Sequence, residues 1–179
     1  MFAFAGGADG GQEYAQDRPC SYALIAMGFP GYNGSPPESA KSIAKHFQHA
    51  GFETFALGKW DHTPLPEASG SGPFHHWASG EGFDHFYGFM AADADDYRTL
   101  VWNDHRPAET WVNKPGYHLT TDLADRAIEN LTSHISIYPD RPFFQFWAPS
   151  AMHSPHQVEQ KKLYAREMEV FASLAAKAD

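Results

Sequence analysis

Two helix–turn–strand units constrain the fold of this chain more than any other feature. In the first unit, Ser35 is a good N-cap, a proline follows at the first helical position and Glu38 lies three residues on. Apolar residues then recur at helical spacing up to Gly51, a typical helix stop, and the apolar strand Phe52–Leu57 follows at once. The sequence therefore predicts a helix that begins at Ser35, includes Ala40 on its apolar face, and leads directly into a strand.

The second unit repeats this order. Thr120 or Thr121 can cap a helix whose first turn carries acidic residues, which the helix dipole favours there, and the segment "YPDRP" ends it. The predicted apolar face of this helix consists of Leu123, Ala127, Ile128, Leu131 and Ile135. The short aromatic run Phe143–Ala148 then suits a buried strand. Two such units predict an α/β fold with a mainly parallel sheet, flanking helices and long loops.

The segments outside these units are less regular. Residues 1–19 have small residues and no apolar period, which predicts a poorly specified leader. Residues 61–118 are rich in Gly, Pro, His and aromatic residues, which predicts long loops with one short strand near Leu100–Trp102. Such long loops in a compact domain usually build a site. The tail from Gln157 to Asp179 is predicted to be helical.

Charge and composition exclude several classes of function. The 179 residues carry a net charge of -9 and contain no block of Lys or Arg, which argues against nucleic-acid or anionic-membrane partners. The single cysteine, Cys20, excludes an internal disulfide and any multi-cysteine zinc site. No apolar run approaches the roughly 18 to 20 residues of a membrane span, and the first residues do not resemble a signal peptide. Localisation is therefore unspecified, and the chain as written is expected to be cytoplasmic.

The ends of the two predicted strands carry most of the reactive side chains. In open α/β sheets ligands bind beyond the carboxyl ends of the strands, and five polar residues follow those ends: Lys59, Asp61, His62, His153 and His156. A lysine and a histidine there can bind an anionic ester and protonate its leaving oxygen. Alternatively, Lys59 extends into solvent and the histidines satisfy local backbone groups. The pattern of residues leaves both interpretations open.

Two loop clusters are weaker candidates for metal binding. His75 and His76 precede Trp77 in a Gly/Pro loop, but neighbouring side chains usually point apart, so a solvated loop is favoured over a metal site. The group of Asp93, Asp95 and Asp96 lacks the Gly and terminal Glu of a calcium loop, so an acidic surface turn is favoured. No metal site is predicted from these residues.

Longer segments carry a family resemblance. The stretch "GFETFALGKWDHTP" resembles the second sulfatase signature, in which a Gly-aromatic-x-Thr strand leads into Gly-Lys-Trp-His. Four more segments resemble, in order, successive parts of bacterial arylsulfatases of the alkaline-phosphatase superfamily: "GFPGYNGSPPESAKSIAKHFQHAGFET", "GPFHHWASGEGFDHFYGF", "YHLTTDLADRAIENL" and "DRPFFQFWAPSAMHSPHQV". The resemblance predicts a leader at residues 1–27, a partial catalytic domain at 28–158, and a helix of the same domain at 159–179.

The resemblance implies a partial alkaline-phosphatase-like α/β fold and hydrolysis of sulfate esters. Members of the family use a calcium ion and a formylglycine made from Cys or Ser. By position, Lys59 resembles the lysine that binds the sulfate group, and His153 resembles a histidine that contacts the substrate. The expected ligand is a small sulfate ester, held by Lys59 and His153.

The chain also departs from the family pattern. Asp61 stands where the family has a histidine, so His62 can fill that role only if the loop shifts, because a carboxylate would repel the sulfate group. The residues after Cys20 do not match the Cys/Ser-x-Pro/Ala-x-Arg motif of the nucleophile. We therefore expect a shortened piece of the catalytic domain that lacks both the formylglycine and the calcium ligands.

Three functional hypotheses follow from these features. The first is an arylsulfatase-type sulfuric ester hydrolase, with Lys59, His153 and His62 as candidate catalytic residues. The second is a non-catalytic sulfatase fragment or pseudoenzyme that at most binds a sulfated ligand. The third is a histidine-based metal module independent of sulfatases. A piece of a larger sheet is also expected to self-associate through its uncovered edges.

Overall fold

The strand that follows the first helix lies inside a mixed sheet. A computed structural model describes residues 2–4, 39–90, 93–112, 114–151, 153 and 157. Within these residues the elements are β1 (Phe2–Phe4), α1 (Ile43–His49), β2 (Glu53–Lys59), a 3-10 helix (Leu65–Glu67), β3 (His85–Phe89), β4 (Trp102–Asn103), β5 (Arg106–Pro107), α2 (Leu119–Ile137) and β6 (Phe143–Ala148). The strand order is β1-β6-β2-β3-β4-β5.

The strand pairings confirm the predicted α/β fold with a mainly parallel sheet. Strands β1, β6, β2 and β3 run parallel to one another, whereas β4 and β5 are joined to β3 by antiparallel pairings. The predicted strand Phe143–Ala148 is correct, and β2 continues two residues beyond the predicted end at Leu57, through Gly58 and Lys59. Strand β3 lies inside the segment that was predicted as loops, and the predicted strand near Leu100–Trp102 corresponds to β4, which begins at Trp102.

The first helix is shorter than the sequence pattern predicted. It begins at Ile43, and the side chain of Ser42 caps it by accepting the Ala44 N–H at 3.1 Å. Residues 39–42 are not helical, so the prediction that Ala40 lies on this helix is wrong. Ser42 is the local cap because its hydroxyl satisfies an N–H that the first turn leaves without a backbone partner. The proposed cap at Ser35, Cys20 and nearly all of the predicted C-terminal helix lie outside the described residues.

Helix α2 buries part of the predicted stripe, since Leu123 and Ala127 are buried as predicted. Its N-cap is His118, not Thr120 or Thr121, and the His118 ring accepts the Thr120 N–H. The buried residues of the helix are Leu119, Leu123, Ala127 and His134. Ile128 and Ile135 are 60% and 55% exposed, so their assignment to the buried face is wrong. The buried face of the helix instead includes His134. Its polar ring is accommodated there because both ring nitrogens have hydrogen-bond partners in the protein.

The sheet separates two apolar layers, and the alternation of side chains along each strand assigns residues to them. The layer under α2 contains Phe55, Leu57, Tyr87, Phe89, Val101, Leu119 and Leu123. The layer under α1 contains Ala44, Ala56, Trp60, Trp77, Phe83, Phe86 and Phe144. Among the described residues, no helix has the length and apolar character that crossing a membrane requires. The two layers define an α2 face and an α1 face of the sheet.

Candidate active site

Strands β2, β3 and β6 end side by side at one edge of the sheet, where Gly58 pairs with both Gly88 and Ala148. Gly58 has a φ of 101°, and a Cβ there would lie 2.0 Å from the Ala148 carbonyl oxygen. A Cβ on Gly88 would lie 1.9 Å from the Gly58 carbonyl oxygen. Both positions therefore need glycine, because the three backbones approach closely just before their carboxyl ends. We call this the carboxyl edge.

Lys59 is the last residue of β2, on the α2 face of the carboxyl edge. Strand alternation places it on the same side as Phe55 and Leu57, whereas Trp60 packs into the layer under α1. The ladder continues past Lys59, because the Trp60 N–H donates to the Phe89 carbonyl at 2.9 Å. The partly buried Lys59 thus brings a cation to the predicted edge of the sheet.

His62 lies on the other face. Its exposed ring contacts the Trp60 ring in a tilted arrangement, with ring centroids 4.7 Å apart. Together with Lys41, Glu81 and Phe146, it lines a pocket on the α1 face with a volume of about 230 Å³. Asp61 lies between Trp60 and His62 in the chain and is partly buried. The structure therefore does not bring His62 to the face that carries Lys59.

His153 is held by an acidic partner from a neighbouring strand end. Its Nδ1 contacts a carboxylate oxygen of Asp93, which follows β3, and its backbone N–H donates to the Ser150 carbonyl at 2.8 Å. Both side chains are about one third exposed. A carboxylate at Nδ1 orients the imidazole ring. This contact was not predicted, because the sequence pattern placed Asp93 in a surface turn. The other predicted histidine, His156, lies outside the described residues.

The rest of the acidic turn connects the elements around His153. Asp96 is 2% exposed, and its carboxylate accepts a hydrogen bond from the Ser150 hydroxyl. The Asp96 carbonyl accepts the Leu119 N–H at the start of α2 at 2.7 Å, and its N–H donates to the Gln157 side chain at 2.8 Å. The prediction of an acidic surface turn is therefore wrong for Asp96, because its carboxylate is buried and accepts a hydrogen bond from Ser150.

Asp95 does fit the predicted surface turn. It is exposed, and its carboxylate accepts the N–H groups of Tyr97 and Arg98, both at 2.9 Å. The hydrogen bond from the Tyr97 N–H, supported by the Gln157 side chain, holds the pKa of Asp95 below its usual value. Asp95 thus shapes the turn that presents Asp93 and Asp96.

His75 and His76 lie close to an acidic side chain from the 3-10 helix. The His76 Nδ1 lies 2.8 Å from a Glu67 carboxylate oxygen, and the His75 Nε2 lies 3.8 Å from the same oxygen. The centroids of the two imidazole rings are only 4.0 Å apart. The expectation that these adjacent side chains point apart is therefore wrong. Glu67 was not predicted as a neighbour of these histidines, because eight residues of irregular loop separate it from His76.

A second polar network lies at the opposite end of β2. Glu53 contacts His134 Nδ1 at 2.5 Å, His85 Nε2 at 3.1 Å and the Arg141 guanidinium at 3.6 Å. Burial raises the pKa of Glu53, but the hydrogen bonds from His134 and His85 and their charges lower it more, so it lies below its usual value. This network ties α2 to the amino end of β2, away from the carboxyl edge.

Comparisons with known proteins give the chain a family and a fold. Residues 15–176 match the family model described as Sulfatase. Among solved structures, Ps i-CgsB matches with a TM-score of 0.58 and 22% identity, over 72% of this chain and 30% of that chain. Its complex with k-i-k-neocarrahexaose gives 0.55 and 22%, over 70% and 29% of the two chains.

A protein described in the metabolism of multiple glycosaminoglycans by Bacteroides thetaiotaomicron has a TM-score of 0.55 and 17% identity, over 70% of this chain and 28% of that chain. A search of curated proteins found no match. The chain thus spans less than a third of the length of these solved structures. At such identities the matches to solved structures establish a shared fold, and the family rests on the family model.

Proposed function

The chain belongs to the sulfatase family, and we propose that its carboxyl edge binds a sulfate ester on the α2 face as part of an arylsulfatase-type sulfuric ester hydrolase. The observation that supports the proposal most is that Lys59 ends β2, while the contacting residues Asp93 and His153 follow β3 and β6, the two strands that flank β2. These groups combine a cation with an oriented imidazole, as a sulfate ester requires.

In the proposed complex each side chain has a defined task. The Lys59 ammonium binds sulfate oxygens and stabilises the negative charge that grows as a nucleophile, in the overall reaction a water oxygen, bonds to sulfur and the S–O bond to the leaving group breaks. The Nε2 of His153 donates a proton to the departing ester oxygen, while Asp93 holds the ring and stabilises its protonated form. The hydrogen bond between Asp96 and Ser150 joins the loop that carries Asp93 to the loop that carries His153.

The described residues do not fit the calcium ion that the family uses. Calcium takes six to eight oxygen ligands. Among the described residues, Asp93, Asp95 and Asp96 do not form a group of three side chains whose ligand atoms lie close enough to share an ion. We therefore assign no step to calcium or formylglycine in this part of the chain, and we propose that residues 28–158 form the substrate side of a sulfatase catalytic domain.

We propose two classes of ligand, aryl sulfates and sulfate esters of sugars. The second class is included because Ps i-CgsB was solved in complex with k-i-k-neocarrahexaose. The alternative function is a non-catalytic binder of the same ligands. It is favoured by Asp61, which replaces the histidine of the signature, and by the position of His62 on the α1 face.

Binding and hydrolysis separate these two functions. The full chain is titrated calorimetrically with 4-nitrophenyl sulfate and a sulfated monosaccharide, and release of nitrophenol is followed with calcium present. Lys59→Ala and His153→Asn are compared with Lys41→Ala, which removes an exposed lysine from the α1 face. We expect Lys59→Ala to weaken binding at least tenfold and Lys41→Ala to leave it unchanged. Hydrolysis that requires His153 would establish the hydrolase, binding without hydrolysis would establish the binder, and absence of binding would refute both.

We also propose that the chain associates with a second copy of itself through an uncovered edge of the sheet, because an edge strand presents unpaired N–H and C=O groups. In the described part of the chain the edge strands are β1 and β5. Strand β5 is the poorer contact, because Pro107 has no N–H to offer to a pairing strand. Light scattering should detect a dimer, and a wild-type monomer at high concentration would contradict the proposal.

A further inference from the structure

Three side chains of types that commonly ligate metals lie close together outside the proposed sulfate ester site. Glu67, His75 and His76 each offer one ligand atom, and these atoms all lie within 4.8 Å of one another. Among the described residues this is the only group of three or more such side chains that meets this criterion. We propose that Glu67, His75 and His76 bind a zinc ion. The site is independent of sulfate ester binding.

The spacing of the ligand atoms suits zinc. Bonds of 2.0 to 2.2 Å in a tetrahedral arrangement place the ligand atoms about 3.4 Å apart. The Glu67 oxygen lies 2.8 Å from His76 Nδ1 and 3.8 Å from His75 Nε2. These two distances from Glu67 each differ from the expected separation by roughly half an ångström, which side-chain rotation can supply. Two imidazoles and one carboxylate form a ligand set that zinc accepts, with a fourth position left for water.

The backbone behind the ligands is fixed by buried groups. The carbonyl of His76 accepts hydrogen bonds from the Trp60 indole at 3.0 Å and the Thr63 hydroxyl at 2.9 Å. The carbonyl of Glu67 accepts the Trp77 indole N–H at 2.9 Å. Trp60 and Trp77 are 4% and 1% exposed, so both ligand-bearing segments are anchored in the layer under α1. These bonds use main-chain carbonyls and leave the ligand side chains to face one another.

Exposure and charge favour entry of a cation. The side chains of Glu67 and His76 are about one fifth exposed and that of His75 is 59% exposed, so an ion reaches the site without unfolding the loop. The carboxylate supplies one negative charge, and the chain as a whole carries a net charge of -9. Without an ion, the same groups form only a hydrogen bond between Glu67 and His76 and a weak contact with His75. The two states therefore differ most in the role of His75.

The test measures zinc binding to the full, untagged chain after treatment with a chelator. Titration calorimetry should show one tight zinc site, and cobalt substituted for zinc should give the visible bands of a four- or five-coordinate ion. Glu67→Gln, His75→Ala and His76→Ala should each weaken zinc binding at least tenfold, whereas His49→Ala, an exposed histidine on α1, should not. His75→Ala is the decisive variant, because this side chain is largely exposed and its loss leaves the fold intact.

Two results would overturn the proposal. One is the absence of stoichiometric zinc binding to the wild-type chain. The other is zinc binding that persists unchanged in Glu67→Gln and His75→Ala, which would place the ion on other histidines. Circular dichroism of each variant confirms that a loss of binding is not a loss of fold. Sulfate ester binding is measured on the same variants and should be unaffected, so failure of this site and failure of the proposed function are distinguishable.

Discussion

Thr54 and Asp84 exchange hydrogen bonds that join the amino ends of β2 and β3. The Thr54 N–H donates to the Asp84 carboxylate at 3.1 Å, and the Asp84 N–H donates to the Thr54 hydroxyl oxygen at 2.9 Å. The Thr54 hydroxyl also donates to the Gly82 carbonyl at 2.8 Å, and Gln48 of α1 donates to the other Asp84 oxygen at 2.7 Å. One aspartate thus connects two strands and a helix, which explains the threonine of the strand pattern Gly-aromatic-x-Thr.

Replacing Asp84 with Ala is expected to destabilise the fold by about 2 to 3 kcal/mol. The substitution leaves the N–H of Thr54 without its acceptor, and Thr54 is fully buried. Urea unfolding followed by circular dichroism measures the change, with Asp140→Ala in an exposed turn as the control. A loss no greater than that of the control would show that water replaces the carboxylate at no cost.

The Glu53–His134 contact predicts acid sensitivity. The pKa of Glu53 is lower in the folded chain than its usual 4.5, so the unfolded chain binds more protons in the pH range between the two values. The stabilisation by Glu53 is therefore present above a pH of about 4.5 and is lost as the pH falls through the folded pKa. Glu53→Gln should cost about 2 kcal/mol near pH 6, and progressively less as the pH falls below 4.5. Thermal unfolding of both proteins between these pH values measures the difference, and a difference independent of pH would contradict the assignment.

The buried Asp96 should matter more for stability than its exposed neighbour. Asp96→Ala removes the acceptor of the Ser150 hydroxyl and is expected to cost about 3 kcal/mol. Asp95→Ala removes an exposed carboxylate that caps a turn and is expected to cost about 1 kcal/mol. Both free energies come from urea unfolding of the two variants. Equal losses in the free energy of unfolding would show that the buried hydrogen bond of Asp96 contributes no more stability than the exposed turn contacts of Asp95.

Local sequence signals predicted β6, most of β2 and the position of Lys59 at a strand end. They failed for β3, because "HFYGF" is short, nearly all buried and shows no alternation of polar and apolar residues. They also failed for part of the stripe of α2, because a histidine at position 134 occupies a buried place that the pattern reserved for an isoleucine. Local periodicity carries no information on a partner that lies far along the chain.

The same limit applies to the candidate site. Lys59 and His153 could be predicted because they follow predicted strands. The residues that contact His153 and its loop could not be predicted, because they lie far away in the sequence. Asp96 and Ser150 are 54 residues apart, and Asp93 is 60 residues before His153. The family resemblance placed His62 near Lys59 by counting residues. Counting residues could not show that the Trp60 side chain packs into the layer under α1 and that His62 lies beside it on the α1 face.

The positions of Lys59 and His62 on opposite faces give the sharpest prediction about ligand binding, and it rests on the proposed function. A charged hydrogen bond is worth about 1.5 to 3 kcal/mol, so Lys59→Ala should weaken binding of 4-nitrophenyl sulfate by roughly 10- to 100-fold. His62→Ala should change the affinity less than about twofold, because its ring packs against Trp60 away from the α2 face. Calorimetric titration of both variants at the same pH gives the comparison. If His62→Ala weakened binding as much as Lys59→Ala, the loop after β2 would have to rearrange when the ligand binds. His62 would then take the place that the family signature gives to its histidine.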